Sequence, residues 1–335
     1  MRPTTLSVHI SRFLSHYLAG QRNLSPNTVK AYRDVFVLLL RFCRDVQGIA
    51  VEKLDLQQID VALIDAFLDY LVQERQCSER TVNQRLAVLH AFFRYLQVEE
   101  PALIQQCQRI LAIPLRRYVR REVGYLCRDH LAALLAQPDL TRSDGRRDAV
   151  LLSVLYDTGA RVQELIDLTA GDVRLDAPAQ VRILGKGRKE RVVPLMENTA
   201  TLLLQYIREQ DLALPEHYSR CLFLNRQGSP LTRVGVNYIL QKYLRQVREA
   251  YPQFTQKVTP HTLRHTKAMH LVQGGVSLNI VRDFLGHVDI KTTEIYARAN
   301  LEMRRAAIEK VSPAPIPDIP SWKQNTSLLQ WLQGL

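Results

Sequence analysis

One segment of the sequence places two basic side chains at the start of a helix. His261 and Arg264 follow Pro260, and the helix that they open is predicted to end at Gly274. Their spacing of three places both on one face of the first turn. A phosphate bound there would meet both side chains, unpaired backbone N–H groups and the positive end of the helix dipole. Such residues are also common on solvated helix starts, so the pair alone leaves a surface role open.

A second arginine follows a predicted helix end. The apolar helix before Gly159 is expected to end at that glycine, and Arg161 then begins the next helix. Glu164, one turn further on, is placed to hold the guanidinium through a charged hydrogen bond. A packing role and a phosphate-binding role are equally compatible with this pattern.

Two further residues with reactive side chains lie near the end of the chain. Ser277 and Gly286 are expected to bound a short helix, which places His287 in the turn after it. Tyr296 comes nine residues later, in a predicted helix that Thr292 or Thr293 would cap. A tyrosine on a helix usually packs, but its phenol oxygen is also a nucleophile.

A β-hairpin interrupts the helical pattern. The apolar stretches 181–184 and 192–195 flank a glycine-rich basic tip that contains Lys186. The glycines lack the spacing of a nucleotide-binding loop, and the sequence shows no carboxylate cluster of the two-metal type. We therefore expect neither a cofactor nor a metal.

The composition indicates the kind of partner and argues against a membrane protein. The 335 residues include 45 Lys and Arg against 33 Asp and Glu, a net charge of +12, which favours a polyanion such as nucleic acid as the large partner. No apolar run approaches the roughly 20 residues that span a bilayer, and residues 1–9 lack a signal pattern. We expect a soluble cytoplasmic protein that contacts no membrane, with five scattered cysteines as buried free thiols.

The chain divides into four segments by pattern. Residues 1–110 read as about four helices, of which two begin alike at 25–29 and 78–82 and a third covers 61–74. A basic linker at 111–125 precedes a second domain at 126–312. Residues 313–335 are expected to form a proline-rich spacer and a short helix, whose apolar face would be covered either by its own domain or by a neighbouring subunit.

Polar and basic residues at helix starts, in the linker and at the hairpin tip are candidates for phosphate contacts. A solvated capping face is an equally good interpretation for each helix-start residue. The candidates are Asn27, Thr28, Lys30, Arg80, Thr81, Asn83, Arg85, Arg116, Arg117, Arg188 and Lys189.

Taken together, the dispersed basic residues and Tyr296 indicate a family more specifically than any one of them does. The order Arg161, Lys186, His261-x-x-Arg264, Leu285-Gly286-His287 and Tyr296 resembles the tyrosine recombinase, or phage integrase, family over about residues 125–300. The first hundred residues resemble the SAM-like core-binding domain of Xer-type recombinases, integron integrases and transposon-encoded relatives. The resemblance implies a mainly α fold with a small β-hairpin or sheet, in which two domains form a C-shaped clamp around duplex DNA.

The resemblance also assigns chemistry. Tyr296 would attack a phosphodiester and become joined to the 3′-phosphate, while Arg161 and Arg264 hold the non-bridging oxygens. His261 and His287 would donate hydrogen bonds or take a proton, and Lys186 would protonate the leaving 5′-hydroxyl. The implied assembly is a homodimer on one recombination site and a tetramer in the synapse, with a related recombinase as an alternative partner.

Several functions share these residues. Integration, excision or transposition of a mobile element is the role that we expect, in a cytoplasmic, nucleoid-associated protein. Xer-type resolution of DNA dimers and a type IB topoisomerase are the alternatives of the same chemistry. A DNA-binding regulator without catalysis would bind without a covalent adduct, and a metal-dependent nuclease would lose cleavage in EDTA.

Overall fold

The computed structural model describes residues 4–118, 124–185, 187 and 189–286. It divides the chain into two compact units, Met1–Arg121 and Glu122–Leu335. The finer domain bounds expected from the sequence stay predictions, and so does the clamp shape. The mainly helical fold class is confirmed.

The first unit is helical because its apolar stripes follow well-capped starts. Ser25 and Ser78 are the N-caps of two long helices and accept hydrogen bonds from the backbone N–H groups of Thr28 and Thr81, as the sequence predicts. The described part holds five α-helices, more than the four or so expected. They are α1 (Thr5–Arg12), α2 (Pro26–Asp45), α3 (Val61–Gln73), α4 (Glu79–Glu99) and α5 (Ile104–Leu111).

Aromatic side chains fill much of the first core. Phe13 is completely buried and begins a π-helical stretch, Phe13–Gln21, directly after α1. Its ring lies 5.3 Å from the rings of both Phe92 and Tyr95 and 6.1 Å from that of Phe36. These edge and tilted contacts join the start of the unit to α2 and α4.

The second unit packs helices around one large core and a small sheet. Its central helix, α11, runs from Pro260 to Gln273, with Thr259 as N-cap and Gly274 as C-cap, so the predicted helix is confirmed. The helices are α6 (Arg128–Leu135), α7 (Ser143–Thr158), α8 (Val162–Ile166), α9 (Glu197–Glu209), α10 (Arg233–Ala250), α11 and α12 (Leu278–Leu285).

The sheet has three antiparallel strands, β1 (Val173–Arg174), β2 (Gln180–Leu184) and β3 (Glu190–Pro194). Val181 pairs with Val193, and both are buried, as period-two alternation requires. The predicted hairpin is confirmed within two residues at each strand end. The two-residue strand β1 has too short a pattern to be predicted.

Polar residues of α11 are buried because neighbouring segments pair with them. Lys267 Nζ lies 3.0 Å from Asp157 Oδ1 at the end of α7. Thr266 Oγ1 accepts a hydrogen bond from the Leu126 N–H, and His270 Nε2 lies 3.0 Å from the Leu126 carbonyl oxygen. The helix is therefore locked from two sides.

The cysteines are less uniformly buried than their scattered positions suggest. All five cysteines are free, but only Cys43 and Cys107 are buried, and Cys127 is exposed at the N-cap of α6, so the expectation of buried thiols is wrong there. Among the described residues, no helix combines the length and apolarity that crossing a bilayer requires.

Candidate active site

A left-handed glycine and a helix cap position Arg161. Gly159 ends α7 with φ of 56°, and Arg161 is the N-cap of α8. Glu164 accepts hydrogen bonds from the Arg161 backbone N–H at 2.9 Å and from Arg161 Nη1 at 2.7 Å. The predicted contact is therefore present. The Arg161 side chain remains 40% exposed, so a ligand can reach it.

Arg264 lies in the first turn of α11 and is 1% exposed. Its Nη1 donates to the Gly159 carbonyl oxygen and its Nη2 to the Leu285 carbonyl oxygen, both at 2.6 Å. One guanidinium thus ties the ends of α7 and α12 to the start of α11. Its Nη1 also lies 3.9 Å from Glu164 Oε2.

His261 occupies the same first turn as Arg264 and is exposed at the surface. Partial desolvation by the surrounding protein, followed by the charges of Arg264 and Arg161, lowers the pKa of His261. The imidazole is thereby kept neutral near pH 7, a state in which one ring nitrogen accepts a proton and the other donates a hydrogen bond. Its ring centre lies 4.2 Å from that of His265.

The Glu164 carboxylate lies within 4 Å of three arginine side chains. Its side chain is 6% exposed, and Arg191 Nη2 lies 2.6 Å from its Oε2. Burial works to raise the pKa of Glu164, but the hydrogen bonds and charges of Arg191 and Arg161 outweigh it, so the pKa lies below the ordinary value. Three arginines surround one ionised carboxylate, which leaves a net charge of +2 at this point.

The sequence motifs do not include Arg191, although the sequence carries a signal for it. Side chains of a strand alternate between faces, so Arg191 shares the inward face of β3 with Val193. A basic residue at an inward position requires a buried partner. The identity of that partner, Glu164, depends on the tertiary fold.

The structure brings Arg161, His261 and Arg264 together. Lys186, Arg188, His287 and Tyr296 lie outside the described residues. Residues beside Lys186, Arg188 and His287 are described: the N–H of Gly185 donates to the Lys189 carbonyl oxygen at 2.8 Å below the hairpin tip. Gly286 ends α12 with φ of 64°, as the sequence predicts. The chain therefore leaves α12 next to Arg264.

The predicted phosphate contacts of the first unit fall into two groups. The Asn83 side chain donates from Nδ2 to the Arg116 carbonyl oxygen and accepts at Oδ1 from the Arg116 N–H, both at 2.8 Å. Arg116 Nη2 lies 2.6 Å from an Asp69 carboxylate oxygen. Arg85 Nη1 lies 3.0 Å from the Cys77 sulfur. These three have structural partners, and Thr28 and Thr81 contact their capping serines. The exposed candidates of this unit are Asn27, Lys30, Arg80 and Arg117, and Lys189 is exposed at the hairpin tip of the second unit.

Comparison with known proteins places this arrangement in a family. Residues 125–303 match the model of the phage integrase family, and residues 10–100 match that of the phage integrase N-terminal SAM-like domain. The chain belongs to the phage integrase family, which confirms the resemblance seen in its motifs.

Relatives and solved structures agree with this assignment. The chain is 39% identical over 312 residues to the putative integrase/recombinase y4rC of Sinorhizobium fredii, with 92% of each chain covered. It is 33% identical over 296 residues to tyrosine recombinase XerD of Listeria monocytogenes, with 84% of this chain and 91% of the relative covered.

Solved structures show the same fold at low identity. The XerH recombinase bound to difH matches with a TM-score of 0.64 and 22% identity, over 90% of this chain and 83% of that one. The Tn1549 transposon integrase bound to transposon end DNA matches with a TM-score of 0.66 and 19% identity, over 90% and 99%.

Proposed function

We propose that this chain is a site-specific DNA recombinase that cleaves and rejoins strands through a 3′-phosphotyrosine intermediate. The observation that carries the proposal is the convergence of Arg161 and Arg264, from distant parts of the chain, around one buried carboxylate. Two guanidiniums held this way present fixed charge to a phosphate that gains negative charge during attack.

The reaction balances without a cofactor. The Tyr296 phenol oxygen bonds to phosphorus, the bond from phosphorus to the 5′-oxygen breaks, and Lys186 gives that oxygen a proton. The phenol proton passes to a neutral imidazole, for which His261 and His287 are the candidates. Because the phosphotyrosine keeps the energy of the broken linkage, the 5′-hydroxyl of another strand reverses the step.

The substrate of this chemistry is duplex DNA. The net charge of +12 and the DNA-bound structures of similar fold support that partner. In the proposed assembly the two units close as a clamp, two copies occupy one site, and four copies form the synapse. The exposed candidates of the first unit contact the backbone of the duplex. The protein acts in the cytoplasm, at the nucleoid.

Movement of a mobile element is the biological role that we propose. The relative named integrase/recombinase matches at 39% identity, above the 33% of the XerD relative, and this difference favours integration or excision over dimer resolution. Recovered target sites distinguish the two: ends of mobile elements support the proposal, and a single chromosomal locus supports dimer resolution.

Covalent capture on genomic DNA tests the chemistry, since no target sequence has to be chosen in advance. Purified full-length protein is incubated with randomly nicked genomic fragments in EDTA, denatured, and recovered with any DNA attached. A nick beside the cleaved bond releases a short strand and prevents rejoining, so the adduct accumulates. We expect adducts enriched in one sequence for the wild type and none for Tyr296→Phe.

The other outcomes separate the alternatives. Adducts without sequence enrichment, together with relaxation of any supercoiled plasmid, would indicate a topoisomerase instead. Binding without an adduct would indicate a regulator, and cleavage only when Mg²⁺ replaces EDTA would indicate a nuclease. Each of these results contradicts the proposal.

A further inference from the structure

Arg191 is a largely buried arginine whose place in the fold is not explained by stability. It lies on β3, its side chain is 10% exposed, and its Nη2 bonds to Glu164 Oε2 at 2.6 Å. Among the described residues nothing accepts a hydrogen bond from its buried Nε. A buried ion pair contributes little stability compared with apolar packing, and an unpaired N–H costs more. Stability alone therefore does not explain this residue.

The position of Arg191 joins three parts of the site. It follows the hairpin tip that carries Lys186 in the sequence, and it bonds to the carboxylate that holds Arg161. It also lies against Gly286, where an added Cβ would be 3.1 Å from its Nη1 and 3.2 Å from its Cδ. The hairpin, the start of α8 and the end of α12 therefore meet at one guanidinium.

Glu164 divides its two oxygens between its partners. Oε1 accepts from Arg161 Nη1, while Oε2 accepts from the Arg161 backbone and from Arg191 Nη2. Arg264 Nη1 lies further away, 3.9 Å from Oε2. With Arg191 absent, Oε2 would lose a short charged bond and could draw the Arg264 guanidinium away from the Gly159 and Leu285 carbonyls.

We propose that Arg191 is a positioning residue for strand cleavage, which acts by holding the Glu164 carboxylate so that Arg161 and Arg264 keep separate places on the phosphate. This inference rests on the proposed recombinase function and adds a residue to its machinery. In the proposed mechanism Arg191 touches no reacting atom. Its effect passes through Glu164.

The acid limb of the pH–rate profile for cleavage should report whether Arg191 acts through Glu164. The charged groups that face Glu164 are Arg161 from its own element, Arg191 from β3 and Arg264 from α11, with His261 in the same turn of α11. The Arg191 hydrogen bond is the largest influence that lowers the pKa of Glu164 against burial. Without it the pKa of Glu164 should rise, and protonation of the carboxylate at the acid end of the profile would weaken its hold on Arg161.

The test compares Arg191→Met and Arg191→Lys in the full chain with a matched control. Arg182→Met removes an arginine from the same hairpin, but Arg182 is exposed and pairs with Asp172. The substrate is a nicked duplex built from the sequence that covalent capture recovers. Adduct formation in a single turnover, DNA binding and thermal melting are measured across pH.

Arg191→Met should form the adduct about 100-fold more slowly, as expected for a displaced catalytic group. Its acid limb should move to higher pH while DNA binding stays close to the wild type, and its melting temperature should fall because Glu164 loses a buried charged partner. Arg191→Lys restores a charge beside Glu164 and should recover most of the rate and the wild-type acid limb. Arg182→Met should behave as the wild type.

Three results would overturn the inference while the wild type still forms its adduct. They are an unchanged rate in Arg191→Met, equal losses of binding and cleavage, or a slow Arg191→Lys with no return of the acid limb. If Arg191→Met does not fold, the lysine variant and its pH profile decide alone. A wild type without any adduct would instead refute the recombinase function.

Discussion

Arg161 and Arg264 differ in how the protein surrounds them, and this difference predicts different costs of substitution. Arg264 is buried and donates to two backbone carbonyls, so its loss removes both hydrogen bonds and costs stability as well as activity. Arg161 is 40% exposed, and Glu164 keeps Arg191 as a partner without it. Arg161 is therefore the cleaner probe of transition-state charge.

Arg161→Ala should slow adduct formation by about 100- to 1000-fold, because it removes a donor that acts as charge builds on the phosphate. DNA binding should change little, since that help is concentrated in the transition state. Gel shift and single-turnover capture on the same nicked duplex measure both. Equal losses in binding and cleavage would reduce Arg161 to a phosphate anchor.

Titration of a buried histidine predicts how acid affects folding. Burial first, then the charges of His261 and Arg264, lowers the pKa of His265 from 6.5 to about 4. The unfolded chain therefore binds this proton first. Stability that is present at neutral pH is lost as pH falls below about 6.5, by up to about 3 kcal/mol near pH 4.

His265→Gln should make the fall in melting temperature with acid shallower than in the wild type. His16→Gln, at an exposed position of α1's neighbouring π-helix, is the matched control and should keep the wild-type slope. Melting curves between neutral and mildly acidic pH measure the difference. A wild-type slope in His265→Gln would contradict the assignment.

At the scale of elements, the ends of α7 and α12 supply both carbonyls that hold Arg264. Gly159 and Gly286 end these helices in the left-handed conformation, which side chains other than glycine adopt at a cost. A Cβ on Gly159 would lie 3.0 Å from Leu285 Cδ2, whereas one on Gly228 would meet nothing within 4 Å. Backbone strain and active-site packing can thus be separated.

Gly159→Ala and Gly228→Ala should each lose about 1 kcal/mol of unfolding free energy from positive φ. Only Gly159→Ala should also lose adduct formation, because the clash with Leu285 moves both acceptors of Arg264. Denaturant unfolding and capture assays measure the two effects. Equal activities in the two variants would show that the helix ends do not position the arginine.

Local signals make most of these elements predictable. Serine caps, glycine ends and the Arg161–Glu164 spacing act within one or two turns, so the sequence indicates them directly. Arg191 with Glu164, and Asn83 with the Arg116 backbone, are contacts between distant segments and need the fold itself. No single residue of the recombinase motifs is diagnostic. The motifs are recognisable because all of these residues occur in the expected order.

At the scale of the whole molecule, positive charge is the property most relevant to the DNA partner. Each phosphate contact makes the slope of log affinity against log salt concentration more negative by about 0.9. Lys30 is exposed near the capped start of α2, and Lys53 is exposed in a separate short 3₁₀ turn, Val51–Lys53. The two lysines differ in predicted contact but not in charge.

Lys30→Ala should reduce the slope of log affinity against log salt by about one, on specific and non-specific duplexes alike. Lys53→Ala should leave the slope unchanged. Gel shifts over a range of salt concentrations give both values. Equal slopes in the two variants would remove Lys30 from the predicted interface.

In the proposed reaction the phenol of Tyr296 attacks a phosphate held by the arginines around Glu164. Tandem mass spectrometry of the captured adduct, after nuclease and protease digestion, locates the linkage directly. We expect a peptide that carries a 3′-nucleotide phosphate on Tyr296. A nucleotide on any other residue, or one joined through its 5′-phosphate, would contradict the claim.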